Sequence, residues 1–593
     1  METFSHFFLL FLLPNFLTAS PVTQDDLVIN TVHGKVQGEL LSVLGGDVRA
    51  FLGIPYGKPP LGKLRFRAPE PVEGWQGVKT ATKYPNSCYQ LAESSYPGFK
   101  GIESWLPNTP QSEDCLYLNV WTPRFNKTQS QNPKLTPVLV WIYGGGFTDG
   151  TASLDVYDGR YLSRVEGVVV VSMNYRVGVW GFLSLRDNKN IRGNAGLLDQ
   201  RLALQWVANN IAAFGGDPSM VTMFGESAGA ASVGYHLVSP GSQGFFQRAV
   251  MQSGSPNADW ATVSQPIAWE RSESLAKILG CPTSDSDYLE TCLQEAEPKK
   301  VTSKQYEVLT KVSITPFPFV PVVDGVFLPE KVEVLLNSDK LPKKDLLIGI
   351  NQNEGSYLLV FGLPGFNITG QSLITREEFL SGMSILMPNA NDITKEAIIS
   401  KYTDWTDENN RMKNRDLMSS LVGHQKFSCP VIDFAHRYSQ HDGRTFFYYF
   451  DHRSSQNPWP EWMGVMHAYE IEFIFGMPLN ASLEYTKTEV NITKKLMKHW
   501  VTFARTGNPS IDGAQWPRFT PINHEYVTLN RNDLVQKRMM LADECHFWSE
   551  LIPRIEKLSD DLQVCTSRSG TVLPCNYMFL LALLAVISLL LTV

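Results

Sequence analysis

An α/β fold, doubly wound around a mostly parallel sheet, is predicted by two features: a series of fully apolar, β-rich runs, and helix-period segments placed between them. The runs are "PVLVWIY" (Pro137 to Tyr143), "GVVVVSMNY" (Gly167 to Tyr175), "VTMF" (Val221 to Phe224), "RAVMQSG" (Arg248 to Gly254) and "DLLIGI" (Asp345 to Ile350). Strands apolar on both faces belong in a parallel sheet that helices cover on both sides. The interior of the 593-residue chain carries no repeat, low-complexity block or Pro/Ser-rich linker. One large domain is therefore expected.

Composition agrees with a packed protein: 43% hydrophobic and 19% charged residues leave ample material for a core. The net charge of -7 and the lack of a basic stretch argue against nucleic acid as a partner. The two ends read as processing segments. "FFLLFLLPNFLTAS" (Phe7 to Ser20) is an apolar run closing in small residues, as a secretory signal does, although its n-region lacks Lys and Arg. A membrane anchor is the alternative, for which the run is short. At the other end, "YMFLLALLAVISLLLTV" (Tyr577 to Val593) is 17 residues without a charge. It is shorter than a spanning helix wants and follows a polar spacer with small residues, the form of a GPI-attachment signal. Cys565 is the chosen attachment residue, with Ser567, Ser569 and Gly570 as competitors. The expected divisions are a signal at 1–20, a main domain at 21–553, a C-terminal peptide at 554–576 and a removable tail at 577–593.

Eight cysteines without zinc-ligand spacing fit an oxidising compartment, and no metal is expected. The pair Cys281 and Cys292 suggests a small stapled loop, and Cys88 with Cys115 a larger one, although connectivity does not follow from sequence. Loss of the tail removes Cys575 and leaves an odd number, so Cys565 is also a candidate for bridging two chains. Sequons at Asn126, Asn367, Asn480 and Asn491 fit a secreted surface.

After the first apolar run comes "YGGGF", with Gly144 to Gly146. A glycine triplet is most often a flexible turn. Following a buried strand, it can also present bare backbone N–H groups to a developing oxyanion. Next, "DQRLALQWVANNIAA" (Asp199 to Ala213) reads as an amphipathic helix starting near an acidic cap and stopping at Gly215 and Gly216. The segment "VTMFGESAGAAS" then joins a strand, Ser227, and a small, helix-compatible run from Ala228 to His236. A Gly-x-Ser-x-Gly match occurs by chance in roughly one chain in five to ten of this length. The strand and helix around it make it a nucleophile elbow. The oxyanion amides would be those of Gly145, Gly146 and Ala228.

A serine hydroxyl needs a general base, and the base needs an orienting acid, in the chain order Ser, acid, His. Glu354 follows the strand "DLLIGI" in "NQNEGSY" and is chosen as the acid. Of the eight downstream histidines, His467 stands out because it lies in a low-charge loop, "WPEWMGVMHAYEIEF". It follows the strand-like "TFFYYF".

These residues carry a resemblance. "FGESAGAAS", "EDCLYLNV" (Glu113 to Val120), "LGIPYGKPPLGKLRFRAP" and "PWPEWMGVMHAYEIEFIFG" make the chain resemble the type B carboxylesterases, and within them the cholinesterases, from about Asp25 to Pro553. The resemblance implies an α/β-hydrolase fold, a triad of Ser227, Glu354 and His467, and disulfides Cys88–Cys115, Cys281–Cys292 and Cys429–Cys545. It also implies hydrolysis of choline esters, acetylcholine and butyrylcholine included, without a cofactor, at the bottom of an aromatic gorge. A quaternary ammonium cannot donate a hydrogen bond, so cation-π contact and diffuse negative charge must hold it. Trp105 matches the residue for the choline head, with Glu226, Tyr357 and Tyr157 beside it and Glu470 behind.

Departures from the family pattern sharpen this expectation. The acyl pocket would comprise Thr315, Phe317, Leu358 and Trp260. Thr315 stands where vertebrate acetylcholinesterases carry Phe, and Leu358 replaces an aromatic, so a butyryl group should be better tolerated. At the gorge mouth Glu93 and Tyr306 remain, while Leu91 and Thr148 replace tyrosines, which implies a weak peripheral cation site. A homodimer, with a disulfide between its chains as one option, tethered by GPI to the cell surface and placed at a synapse, completes the expectation. A broad carboxylesterase and a neuroligin-like adhesion protein are the competing readings.

Overall fold

The computed structural model describes residues 24–124, 134–310, 314–339, 341–530 and 534–568. The expected leader at 1–20, the sequon at Asn126 and the tail at 577–593 lie outside these residues. Its centre is an 11-stranded sheet. In chain order the strands are β1 (Glu39–Val43), β2 (Gly46–Pro55), β3 (Tyr117–Pro123), β4 (Thr136–Ile142), β5 (Val169–Met173), β6 (Gly216–Glu226), β7 (Arg248–Gln252), β8 (Asp345–Asn351), β9 (Thr445–Phe450), β10 (Tyr526–Leu529) and β11 (Val535–Lys537).

The spatial order is β1-β2-β3-β5-β4-β6-β7-β8-β9-β10-β11. From β5 to β10 every pairing is parallel, while β1 to β3 and β11 add antiparallel edges. The apolar runs are the parallel strands, as their two buried faces require. All five residues of β5 are buried. The strand order reverses beside β4, because the chain passes from β4 to β5 on one side and then to β6 on the other. The crevice at such a switch point, beyond the carboxyl ends of the strands, is where α/β proteins place ligands. Here the glycine run after β4 and Ser227 after β6 meet there.

Two helices frame that crevice. Helix α1 (Ala195–Asn210) continues as a short 3-10 turn to Phe214 and closes at Gly215, with φ of +89°. Its start corrects the expectation of an acidic cap near Asp199. The helix begins one turn earlier, at Asn194, whose amide exchanges hydrogen bonds with the backbone of Val322 at 2.7 and 3.0 Å. Asp199 is fully buried inside the helix, where Arg176 Nε and Nη2 each donate to its carboxylate at 2.7 Å. A buried guanidinium demands a buried anion, and that tertiary need outranks the local preference for acids at helix starts. Helix α2 (Ala228–Val238) follows Ser227 and is buried along its whole length.

Three disulfides join Cys88 to Cys115, Cys281 to Cys292 and Cys429 to Cys545. A last helix, α3 (Ile552–Arg568), runs without interruption past position 553 and contains Cys565. Among the described residues no helix is long and apolar enough to cross a membrane, and no cluster of three metal-ligating side chains occurs.

Candidate active site

Ser227 sits between β6 and α2 with φ of +56° and ψ of -121°. A non-glycine residue in this region costs on the order of 1–3 kcal/mol and persists only where its surroundings impose it. They do so here: Ser227 N donates to Gln252 O at 2.8 Å, and Ser227 O accepts from Ala231 N at 2.9 Å. Gly229 lets α2 approach the sheet, because a Cβ there would overlap the carbonyl of Ile142. The strained turn brings the serine to the head of the strand.

Beside it, His467 Nδ1 lies 2.6 Å from Glu354 Oε2, a donor facing a carboxylate. Glu354 is held in turn by Asn351 N, which donates to Oε1 at 2.6 Å. The other imidazole nitrogen, Nε2, lies 3.0 Å from Glu226 Oε1, without the alignment of a hydrogen bond. Ser227 Cβ and Glu226 Oε2 both come within 3.0 Å of a Cβ built on Gly144, so serine and carboxylate meet at the glycine run, while Ser227 Oγ makes no hydrogen bond to His467 among the described residues. Glu470 completes the acidic cluster, accepting from Gln252 Nε2 at 2.9 Å and Asn351 Nδ2 at 2.6 Å.

Three carboxyls in a buried space cannot all ionise cheaply. Burial pushes Glu226 well above the usual carboxylate range, and Glu470 and Glu354 push it further, against the pull of His467. Burial also raises Glu470, while the donors Asn351 and Gln252 hold it down. For His467, burial lowers the ring, but Glu226, Glu354 and Glu470 outweigh it and bring it to about 9. Glu226 and His467 thus titrate in each other's field.

No acceptor among the described residues takes the amides of Gly145, Gly146 or Ala228. Gly145 and Gly146 have φ of +107° and +58°. A Cβ on Gly146 would overlap the ring of Phe317, so glycine brings this backbone against the expected acyl wall. Phe317 lies 6.2 Å from Trp260, ring centre to ring centre. Thr315 is half-buried, and Leu358 is buried beside Tyr357 in a 3-10 turn.

Tyr357 stacks on His467 at 5.1 Å and 5°. Trp105 is half-buried and faces Tyr157 at 6.3 Å and Tyr469 at 6.5 Å. Farther out, Glu93 is exposed and Tyr306 half-buried, while Leu91 is exposed and Thr148 buried. Asn367 and Asn491 are exposed and Asn480 is half-buried.

Sequence reasoning missed Phe427, which packs 4.2 Å from the His467 ring and 5.9 Å from Trp260. It lies on a single π-turn, His424–Ser428, a local insertion that leaves no periodic trace. Gln252 and Asn351 were missed too, although each is the polar residue that ends a strand with an apolar middle, which is a usable signal.

An elbow serine at the switch point of a mostly parallel sheet, with an imidazole and buried acid next to it, defines a serine esterase built on the α/β-hydrolase architecture. A family model described as "Carboxylesterase family" matches residues 25–548, and the chain belongs to that family. Similar proteins include the acetylcholinesterase of Bungarus fasciatus, 48% identical over 94% of this chain and 91% of its own. Those of Electrophorus electricus and Danio rerio are 47% and 46% identical, each over 91% of this chain and 90% of its own. The protein is a cholinesterase-like carboxylic ester hydrolase.

Proposed function

We propose that the chain hydrolyses choline esters, acetylcholine and also butyrylcholine, through an acyl-enzyme. The contact of His467 Nδ1 with Glu354 at 2.6 Å, beside the strained Ser227, carries the reading. Ser227 Oγ attacks the ester carbonyl as His467 Nε2 takes its proton, and Glu354 holds the ring and the charge it acquires. The amides of Gly145, Gly146 and Ala228 receive the developing oxyanion, where prepaid orientation is worth most. His467 returns the proton to the departing choline oxygen. Water, activated by the same nitrogen, then frees the acid and restores Ser227.

Trp105, Tyr157, Tyr357 and Glu226 receive the ammonium by cation-π contact and negative charge. Thr315, Phe317, Leu358 and Trp260 bound the acyl group. Thr315 and Leu358 leave room for a butyryl chain, and Phe427 takes back part of it. Glu93 and Tyr306 form a weak outer cation site. The apolar tail and small-residue spacer support GPI tethering at the cell surface near Cys565, which is alternatively a bridge between two chains. Asn126, Asn367, Asn480 and Asn491 are the glycan acceptors. A synaptic location rests on the resemblance to acetylcholinesterases.

The test is turnover of acetylthiocholine, butyrylthiocholine and an uncharged isostere by protein ending at Asn576, beside Ser227→Ala. Ser227-dependent turnover favouring the cations is expected. Equal rates on the uncharged ester would make the enzyme a broad carboxylesterase, and no turnover would leave the adhesion reading. Release of the full chain from cells by a phosphatidylinositol-specific phospholipase tests the anchor.

A further inference from the structure

We propose that Asp149 is a cation-positioning carboxylate for the ester's ammonium, set between the outer residues Glu93 and Tyr306 and the choline-side tyrosines. The inference rests on the choline-ester reading above and adds a residue to it. Asp149 closes the turn after the glycine run: its backbone N donates to Gly145 O at 3.1 Å. Its carboxylate folds back so that Oδ1 lies against the α-carbon of Gly145, while Oδ2 accepts from Thr148 Oγ1 at 3.2 Å. From there its charge is felt by Glu93 and Tyr306 and by Tyr157 and Tyr357.

Neither Asp149 nor Glu93 has a Lys, Arg or His partner among the described residues; Glu93 accepts only from Ser95 N, at 2.6 Å. Two carboxylates of like sign, one of them half-buried and answered by a single neutral hydroxyl, are stabilised by an arriving cation. A quaternary ammonium suits the place because it needs charge and ring faces rather than hydrogen-bond acceptors, and Tyr306 supplies a ring.

Burial, opposed by the Thr148 hydroxyl and assisted by Glu93, raises Asp149 to about 7. The other titratable groups facing it, Tyr143, Tyr157, Tyr175, Tyr306 and Tyr357, are all raised by burial and stay neutral throughout the physiological range. Attraction for the cation is therefore present above pH 7 and fades below it.

The experiment measures acetylthiocholine binding by calorimetry on the full chain carrying Ser227→Ala, which removes turnover. Asp149→Asn should weaken binding about fivefold at pH 8, the scale of one partly screened charge pair. Asp149→Glu should restore most of it, and the uncharged isostere should bind both forms equally. Affinity for the cation should fall from pH 8 to pH 6 with Asp149 present and change less with Asn. An unchanged dissociation constant, or equal weakening of cationic and uncharged esters, would overturn the inference and leave Asp149 as support for the Gly145 turn. Asp149-dependent binding by a wild-type chain that turns nothing over would sink the esterase reading while leaving this one standing.

Discussion

The two sides of His467 are built from different interactions. On one side, directed hydrogen bonds run from the ring to Glu354, from Asn351 to both Glu354 and Glu470, and from Gln252 to Glu470, with Trp500 Nε1 donating to Gln252 Oε1 at 3.1 Å. On the other side, Tyr357, Phe427, Trp260 and Phe317 meet through ring faces and edges. On that wall Trp260 Nε1 donates to Lys426 O at 2.7 Å, and the Phe317 ring is held by packing alone. Hydrogen bonds between buried groups fix orientation and fail sharply when a partner is lost. Ring packing fixes volume and yields gradually. The polar side should therefore govern whether the chemistry runs, and the aromatic side which acyl group it runs on.

The largest break is expected at Glu354→Gln, which keeps the shape but loses the charge opposite Nδ1. Activity toward acetylthiocholine should fall about 10³- to 10⁴-fold, with little change in KM. A fall below tenfold would remove Glu354 from the role given to it. Asn351→Ala should follow, since it strips donors from Glu470 and from Met466 O, which accepts from Asn351 Nδ2 at 2.8 Å. Thermal unfolding should report a loss of about 2 kcal/mol, the usual cost of orphaning buried acceptors. An unaltered Tm would show the polar side to be less tightly coupled than drawn here.

Phe427→Leu should act on the other side and by a smaller factor. The ratio of butyrylthiocholine to acetylthiocholine kcat/KM should rise about fivefold, the scale of one or two methylenes of freed space, with kcat for the acetyl ester little changed. Equal effects on both esters would place Phe427 outside the acyl wall. The mildest change is expected for Glu226→Gln on an uncharged ester. Burial lowers His467 and Glu226 is the foremost group raising it, so the substitution lowers the pKa of the base. His467 acts when neutral, so the rising limb of kcat/KM should move to lower pH. A limb that stays in place would mean that Glu226 already carries the proton in the free enzyme.

Much of this was legible in the chain. The parallel strands followed from runs apolar on both faces, and the elbow from a strand, serine and helix in that order. Asp199 shows where local reading failed: near a helix start an acid looks like a cap, but Arg176, 23 residues earlier in sequence, claims it. Phe427 shows a different failure. Its π-turn changes the direction of one side chain without changing the hydrophobic pattern around it, so nothing local marks it as part of the site.

What the sequence alone determined is the kind of sheet, the reaction class written into the segment around Ser227, and the stapled loops' cysteines. These depend on residue type and short-range order, which the chain states directly. Only the tertiary structure decided that Glu226 lies 3.0 Å from His467 Nε2, that Phe427 packs 4.2 Å from the His467 ring and that Asp149 folds against Gly145. Each joins segments far apart in the chain or depends on a single backbone turn, and burial then sets the charge state, because the cost of a charge depends on what surrounds it.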